Sequence, residues 1–180
     1  NCSDKTVEIT HNLAKKDKRI KVKEIDHYVG KAGAIIEGFK IAKGDLIGFV
    51  DADNSAPPES FFKLVKSIND FDGAVGSRWM KGAEINLKQS LSRRFFSRSF
   101  NFIARFLLNL KFYDTQCGCK LFKREQIKKI LPNLSNAQWA FDVDLLYHLE
   151  KIGSRIVEIP IKWTDDPRTH LDLKVAPVQM

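Results

Sequence analysis

Gly44-Asp45-Leu46-Ile47-Gly48-Phe49-Val50-Asp51-Ala52-Asp53-Asn54-Ser55 is a short apolar run that stops at two aspartates one residue apart. Leu46 to Val50 reads as a buried strand of the continuous kind that parallel sheets use, which puts the acidic pair just past its carboxyl end. In open α/β sheets that is where ligands bind. Carboxylates there can hold a hard divalent cation, which takes one or two protein carboxylates and completes its shell with substrate phosphate oxygens and water. An isolated Asp-x-Asp is also an ordinary solvated turn, so the flanks must decide.

Upstream, Gly30-Lys31-Ala32-Gly33-Ala34 opens a helix expected to run to about Ala42, with Ile35, Ile36, Phe39 and Ile41 to bury. Glycines beside a lysine at a helix start can seat an anion on free N–H groups; they also suit a plain helix start with a surface lysine. Ile20 to Ile25 alternates as a short strand does. Thr6 to about Lys15 is helical in period, with Val7, Ile9, Leu13 and Ala14 as its stripe, and follows the turn Asn1-Cys2-Ser3-Asp4-Lys5. A domain that opens with a turn into a helix is expected to have lost a strand in front of it.

Downstream, Pro57-Pro58 starts a helix whose buried face is Phe61, Phe62, Leu64, Val65 and Ile68, since proline is tolerated in a first turn. Gly73 to Ser77 is a short strand ending at Arg78. Strand and helix alternating at this rhythm predict an α/β fold with a parallel or mostly parallel sheet. Leu87 to Leu110 is helical in period, and Arg93, Arg94, Arg98 and Arg105 are interleaved there with five phenylalanines. That pattern suits a helix lying on a membrane surface, and equally a core helix with a solvated arginine face. Asp114-Thr115-Gln116-Cys117-Gly118 leads as a polar loop into an apolar strand, followed by a helix from Arg124 to Leu131. Trp139-Ala140-Phe141-Asp142 opens a helix running to Lys151, where Asp142 is either the N-cap or a site residue. Arg155 to Trp163 reads as a final strand, with Pro160 marking an edge or bulge. The tail from Thr164 has no clear pattern.

One hundred and eighty residues suit one domain with a sizeable core. No apolar run approaches the roughly 18 to 20 residues of a membrane span, and no signal peptide is visible, so the chain is expected to be soluble or peripheral. Cys2, Cys117 and Cys119 lack paired metal-ligand spacing and suggest reduced thiols in the cytosol, not a zinc site. The net charge of +8 favours an anionic partner: phosphate, nucleic acid or a lipid surface. Nucleic acid is disfavoured, because the phenylalanines cluster with leucines instead of forming an exposed stacking stripe.

Asp51-Ala52-Asp53, Gly76-Ser77-Arg78, the run Asp114 to Gly118 followed by Lys120-Leu121-Phe122, and Trp139-Ala140-Phe141-Asp142 together resemble the inverting family 2 glycosyltransferases of the GT-A fold. Within these the chain is most similar to the dolichyl-phosphate glucosyltransferase branch, with the dolichyl-phosphate mannose synthases next. The likeness runs in order from about Ser3 to Trp163. It implies a GT-A domain over residues 1–163, with a mixed, mostly parallel sheet and flanking helices. Residues 164–180 are then a tail leading toward a membrane-associated or interface segment. The implied activity is transfer of glucose from UDP-glucose to a polyprenyl or dolichyl phosphate, with Mg2+ or Mn2+, at the cytoplasmic face of a membrane. Mannose from GDP-mannose, sugar-to-sugar transfer and a non-catalytic module are the alternatives, and the resemblance leaves room for a homo-oligomer.

The roles it implies fall on matching positions. Asp51 and Asp53 meet the metal, Asp53 as the more direct ligand. Asp4, Lys31, Asp51 and Arg78 face the donor. Arg78, Arg93 and Ser97 receive the acceptor phosphate, and Asp114, Gln116 and Asp142 line the sugar and acceptor pocket as the catalytic set. The departures are Ser55, where the mannose synthases carry a metal-ligating glutamine, and Ala32 and Cys119, which replace a commoner glycine and phenylalanine. The family also begins with a strand, an acidic turn and a second strand; this chain is expected to start after them. An acceptor phosphate oxygen is already anionic at neutral pH, whereas a sugar hydroxyl would require Asp114 or Asp142 to act as base.

Overall fold

Cys119–Lys123 (β4) has a neighbour on both sides, which is why its first four residues are all buried. Leu46–Val50 (β1) pairs with it antiparallel, Phe49 opposite Lys120, and Gly73–Ser77 (β2) pairs antiparallel on the other edge. Ile156–Pro160 (β5) then joins β2 in parallel register, giving the order β1-β4-β2-β5. Three of these four strands therefore run the same way, as expected of a mixed, mostly parallel sheet. Glu84–Asn86 (β3) and Lys162–Thr164 (β6) form a separate parallel pair. This computed structural model describes residues 4–86 and 91–164, without the side chains of 91–97 and 139.

Alternation along the strands sends side chains to two cores. Ile47, Phe49, Val75, Phe122 and Ile156 face one side, under the helices Gly30–Ile41 (α2), Arg124–Ile130 (α5) and Phe141–Lys151 (α6). Ala74, Cys119, Leu121, Val157 and Ile159 face the other, against Leu64 and Phe61 of Pro58–Ser67 (α3) and Trp163. Each fully buried Phe or Leu contributes roughly 1.5–3 kcal/mol. Leu91–Leu108 (α4) adds Ala104 to the first core.

The expected boundaries hold for α2, β1, α3, β2, α5 and α6 to within a residue or two. Others differ. β1 is an edge strand of the described sheet: Ile47 is buried, while Leu46 and Val50 are exposed on the opposite face. Ile20 to Ile25 is not a strand. The Ile20 N–H closes a turn onto the Asp17 carbonyl, and no described strand lies alongside to pair with the residues that follow. Thr6–Lys16 (α1) buries none of its stripe; Ile9 and Leu13 are exposed. The expected strand Arg155 to Trp163 splits in two, because the chain crosses after Pro160. There the Ile161 N–H reaches the Ser77 carbonyl and the Ile161 carbonyl accepts from Glu84 of β3. The tail 165–180 lies outside the described residues.

Candidate active site

Asp51 leaves β1 with its N–H donating to the Gly118 carbonyl at 2.8 Å. Its carboxylate lies across Gly118 so closely that a Cβ on that glycine would occupy the same space. The glycine of the Asp114-to-Gly118 loop is thus required by the aspartate it faces. Lys31, in the first turn of α2, places its Nζ 2.7 Å from Asp51 Oδ1 and 3.3 Å from Asp142 Oδ2. Burial disfavours its charge, but the two carboxylates outweigh that and hold its pKa above the ordinary lysine value. The turn into α2 is set by Gly30 at φ 67°, where the Gln138 side chain fills the space a Cβ would need.

Asp142 is 4% exposed and caps nothing. Its Oδ1 accepts from Lys120 Nζ at 2.5 Å, and the same ammonium donates to the Cys117 carbonyl at 2.7 Å. Burial pushes the Asp142 carboxyl up, but Lys120 and Lys31 prevail and hold it below its ordinary value. The result is an alternating chain of charges, Lys120, Asp142, Lys31, Asp51. Asp53 stands exposed beyond it, with Oδ1 accepting from the Ser55 N–H at 3.0 Å across a turn in which Asn54 has φ 58°.

The loop that ends at Gly118 begins at Asp114, which is 1% exposed. Asp114 grips Arg78 in a fork: Nε to Oδ2 at 2.7 Å, Nη2 to Oδ1 at 2.9 Å, and the Arg78 N–H to Oδ2 at 3.0 Å. The Gln116 N–H donates to the same carboxylate at 3.3 Å. The Arg78 guanidinium also lies over the Trp79 and Trp163 rings, and Arg98 of α4 covers Trp79 at 4.7 Å. The loop is held from outside by Asn101 of α4, whose side chain accepts from the N–H and Oγ1 of Thr115 and donates to the Tyr113 carbonyl. Glu158 of β5 accepts the N–H groups of Tyr113 and Asp114, and burial raises its pKa despite those bonds.

Six of the expected residues are therefore gathered around one loop: Lys31, Asp51 and Asp142 at its Gly118 end, Arg78 and Asp114 at its start, with Gln116 between. Asp4 is used locally, accepting from the Thr6 N–H at the start of α1. Arg93 and Ser97 have side chains outside the described residues. Asn101, Glu158, Trp79 and Trp163 were not singled out from sequence, and Lys120 entered only as a member of the motif Lys120-Leu121-Phe122, without a role; its place inside the apolar run Cys119 to Phe122 was the one available signal. Cys117 and Cys119 are free and buried, and burial pushes their thiols up, Cys119 to about 11. They are inert packing groups.

A cavity of about 490 Å³ opens beside Asp51, lined by Phe49, Ala52, Asn54, Phe61 and Phe62. A larger one, about 560 Å³, lies away from the acidic pair between the ends of α4 and α6; Glu158 is its one link to the loop. The donors at the acidic pair are hard oxygens from Asp51 and Asp53, fitting Mg2+ or Mn2+ in kind. Among the described residues no cluster of three His, Cys, Asp or Glu is formed, so substrate oxygens or water must complete such an ion's shell. On α4, Phe102, Ile103, Phe106 and Leu107 are all more than half exposed. No described helix is long and apolar enough to cross a membrane.

The chain is 31% identical over 96% of its length to glycosyltransferase AglD of Haloferax volcanii, covering 28% of that protein. It is 36% identical over 76% of its length to human dolichyl-phosphate beta-glucosyltransferase, covering 44% of it. The Dictyostelium discoideum protein of the same name is 32% identical over 84% of this chain and 48% of its own. The chain thus spans about half the length, or less, of these curated relatives. Among solved structures, glucosyl-3-phosphoglycerate synthase from Mycobacterium tuberculosis in complex with Mn2+ and UDP-glucose superposes with a TM-score of 0.59. It is 13% identical, over 99% of this chain and 61% of that one, and shows the fold, which is GT-A. The sequence model of glycosyl transferase family 2 matches residues 1–131, and the chain belongs to that family.

Proposed function

We propose that the protein containing this chain transfers glucose from UDP-glucose to the phosphate of a polyprenyl lipid, with inversion, at the cytoplasmic face of a membrane. The observation that carries this reading is the pairing of two ionic devices on one loop. The Lys31, Asp51 and Asp142 cluster suits a donor diphosphate, and the Arg78–Asp114 fork suits an acceptor phosphate. The names of the relatives supply the lipid phosphate and the glucose; the Mn2+ and UDP-glucose in the neighbouring structure's name agree with the acidic pair.

In this reading Lys31 turns from Asp51 to the donor diphosphate while its ammonium stays within reach of Asp142. Arg78, fixed by Asp114 and flanked by Trp79 and Trp163, orients the acceptor phosphate together with Arg93 and Ser97. One acceptor oxygen attacks the anomeric carbon from the face opposite the diphosphate; the new C–O bond forms as the bond to the nucleotide breaks. That oxygen carries its charge already, so catalysis is chiefly positioning and charge stabilisation, and Asp114 and Asp142 orient cations instead of removing a proton. Asp53 and Asp51 would hold a divalent ion, which would supply charge compensation for the leaving diphosphate. The apolar ridge Phe102, Ile103, Phe106 and Leu107, beside Arg98, suits the surface of the bilayer that holds the lipid.

Equilibrium binding to the full-length protein tests the donor half. UDP-glucose is expected to bind in the presence of Mn2+ and to be released by EDTA. A preference for GDP-mannose replaces glucose by mannose, and absence of any nucleotide binding supports a non-catalytic module.

A further inference from the structure

We propose that Lys120 is a positioning residue for the donor: it neutralises Asp142 from inside the fold and so leaves the charge of Lys31 available to a nucleotide diphosphate. This rests on the reading of the Lys31–Asp51 cluster as a nucleotide-sugar site.

Lys120 is a lysine with no exposed surface, sitting at the centre of the sheet on β4. A buried ammonium is costly unless paired and hydrogen-bonded. Here it is both, through Asp142 Oδ1 and the Cys117 carbonyl. Both ammoniums also approach one aromatic ring, that of Phe49, whose centroid is 5.7 Å from Lys120 Nζ and 5.8 Å from Lys31 Nζ. Asp142 is reached by both lysines, on different oxygens. The shorter contact comes from Lys120, at 2.5 Å against 3.3 Å, so Lys31 is the looser partner and the one that is partly exposed.

The cluster of two lysines and two aspartates is neutral. A diphosphate arriving with a divalent cation leaves it close to neutral. With Lys120 gone, Asp142 is a buried carboxylate whose remaining cation is Lys31. Lys31 is then drawn inward, and the cluster presents a net negative charge to an anionic donor. A lysine that served packing alone would leave donor affinity untouched once the fold was intact.

The experiment is titration of UDP with Mn2+ into the full-length protein and into Lys120→Met, Asp142→Asn and Lys120→Met/Asp142→Asn, with thermal melts alongside. Wild type is expected to bind; if it does not, the nucleotide-sugar reading itself fails, independently of Lys120. Lys120→Met is expected to weaken UDP on the order of tenfold in the wild-type background and by less than about threefold when added to Asp142→Asn, because the charge that Lys120 compensates has already gone there. Folded Lys120→Met that binds UDP as wild type does overturns the proposal. If that variant does not fold, the Asp142→Asn background decides: the double variant binding UDP within about threefold of Asp142→Asn supports charge compensation, and a larger loss overturns it.

Discussion

Replacing Asp114 by Ala removes the acceptor on which the Arg78 fork closes. Four donors lose it together: the Arg78 N–H, Nε and Nη2, and the Gln116 N–H. Taking one partner from a buried ion pair costs about 3–5 kcal/mol, chiefly because the remaining charge has been desolvated. The Arg78 side chain keeps 13% exposure and lies against two indole rings, so water can reach part of it and the lower end of that range applies, about 3 kcal/mol. For a domain of this size that is a fall in melting temperature of about 6–12 °C. Asp114→Asn keeps the volume and one acceptor oxygen and should lose roughly half as much. The assay is a pair of thermal melts at neutral pH, read with the acceptor dependence of activity, since an unoriented Arg78 should raise the KM for lipid phosphate more than that for the donor. A shift under about 2 °C for Asp114→Ala would mean that the fork is solvated and that Arg78 is held by other means.

Gly118→Ala should displace the Asp51 carboxylate, weakening Mn2+-dependent UDP binding by about tenfold or more, while costing less than roughly 2 kcal/mol in a urea titration; unchanged binding refutes the close approach. Asp53→Ala should lower turnover by at least about 100-fold with little change in melting temperature, because the residue is exposed and holds one backbone N–H. If activity survives and the melt falls early, Asp53 is a turn residue. Asp142, whose pKa is lowered in the fold, contributes stability that is present above its unfolded value of about 3.9 and is lost as pH falls through its folded value. Urea midpoints of wild type should therefore drop below about pH 4 more steeply than those of Asp142→Asn, and parallel curves would refute the ion-paired carboxylate.

What was legible in the sequence was what local chemistry decides. The apolar run Leu46 to Val50 and the prolines at 57 and 58 set boundaries that the fold respects, and the small residues of Gly73 to Ser77 lie where two strands press on β2. What was not legible depends on partners far away in the chain. Ile20 to Ile25 has the alternation of a strand, but a strand also needs a neighbour's backbone. β3 is three residues long and exists through pairing with β6, some eighty residues on. Asp142 has the spacing of an N-cap, yet its carboxylate turns to Lys120 and Lys31. The acidic pair, Arg78 and the Asp114 loop were visible as motifs with roles, whereas the buried lysine that joins them to the core was visible as part of the motif Lys120-Leu121-Phe122 with no role attached.

Transfer of the sugar to a lipid phosphate, as proposed, is read from the fate of labelled glucose. Full-length protein is incubated with UDP-[14C]glucose, Mn2+ and dolichyl phosphate in anionic vesicles. Label is expected in the organic phase as a β-linked glucosyl phosphate lipid, with one UDP released per glucose transferred. Label appearing on a soluble sugar, with none on the lipid, contradicts the proposal.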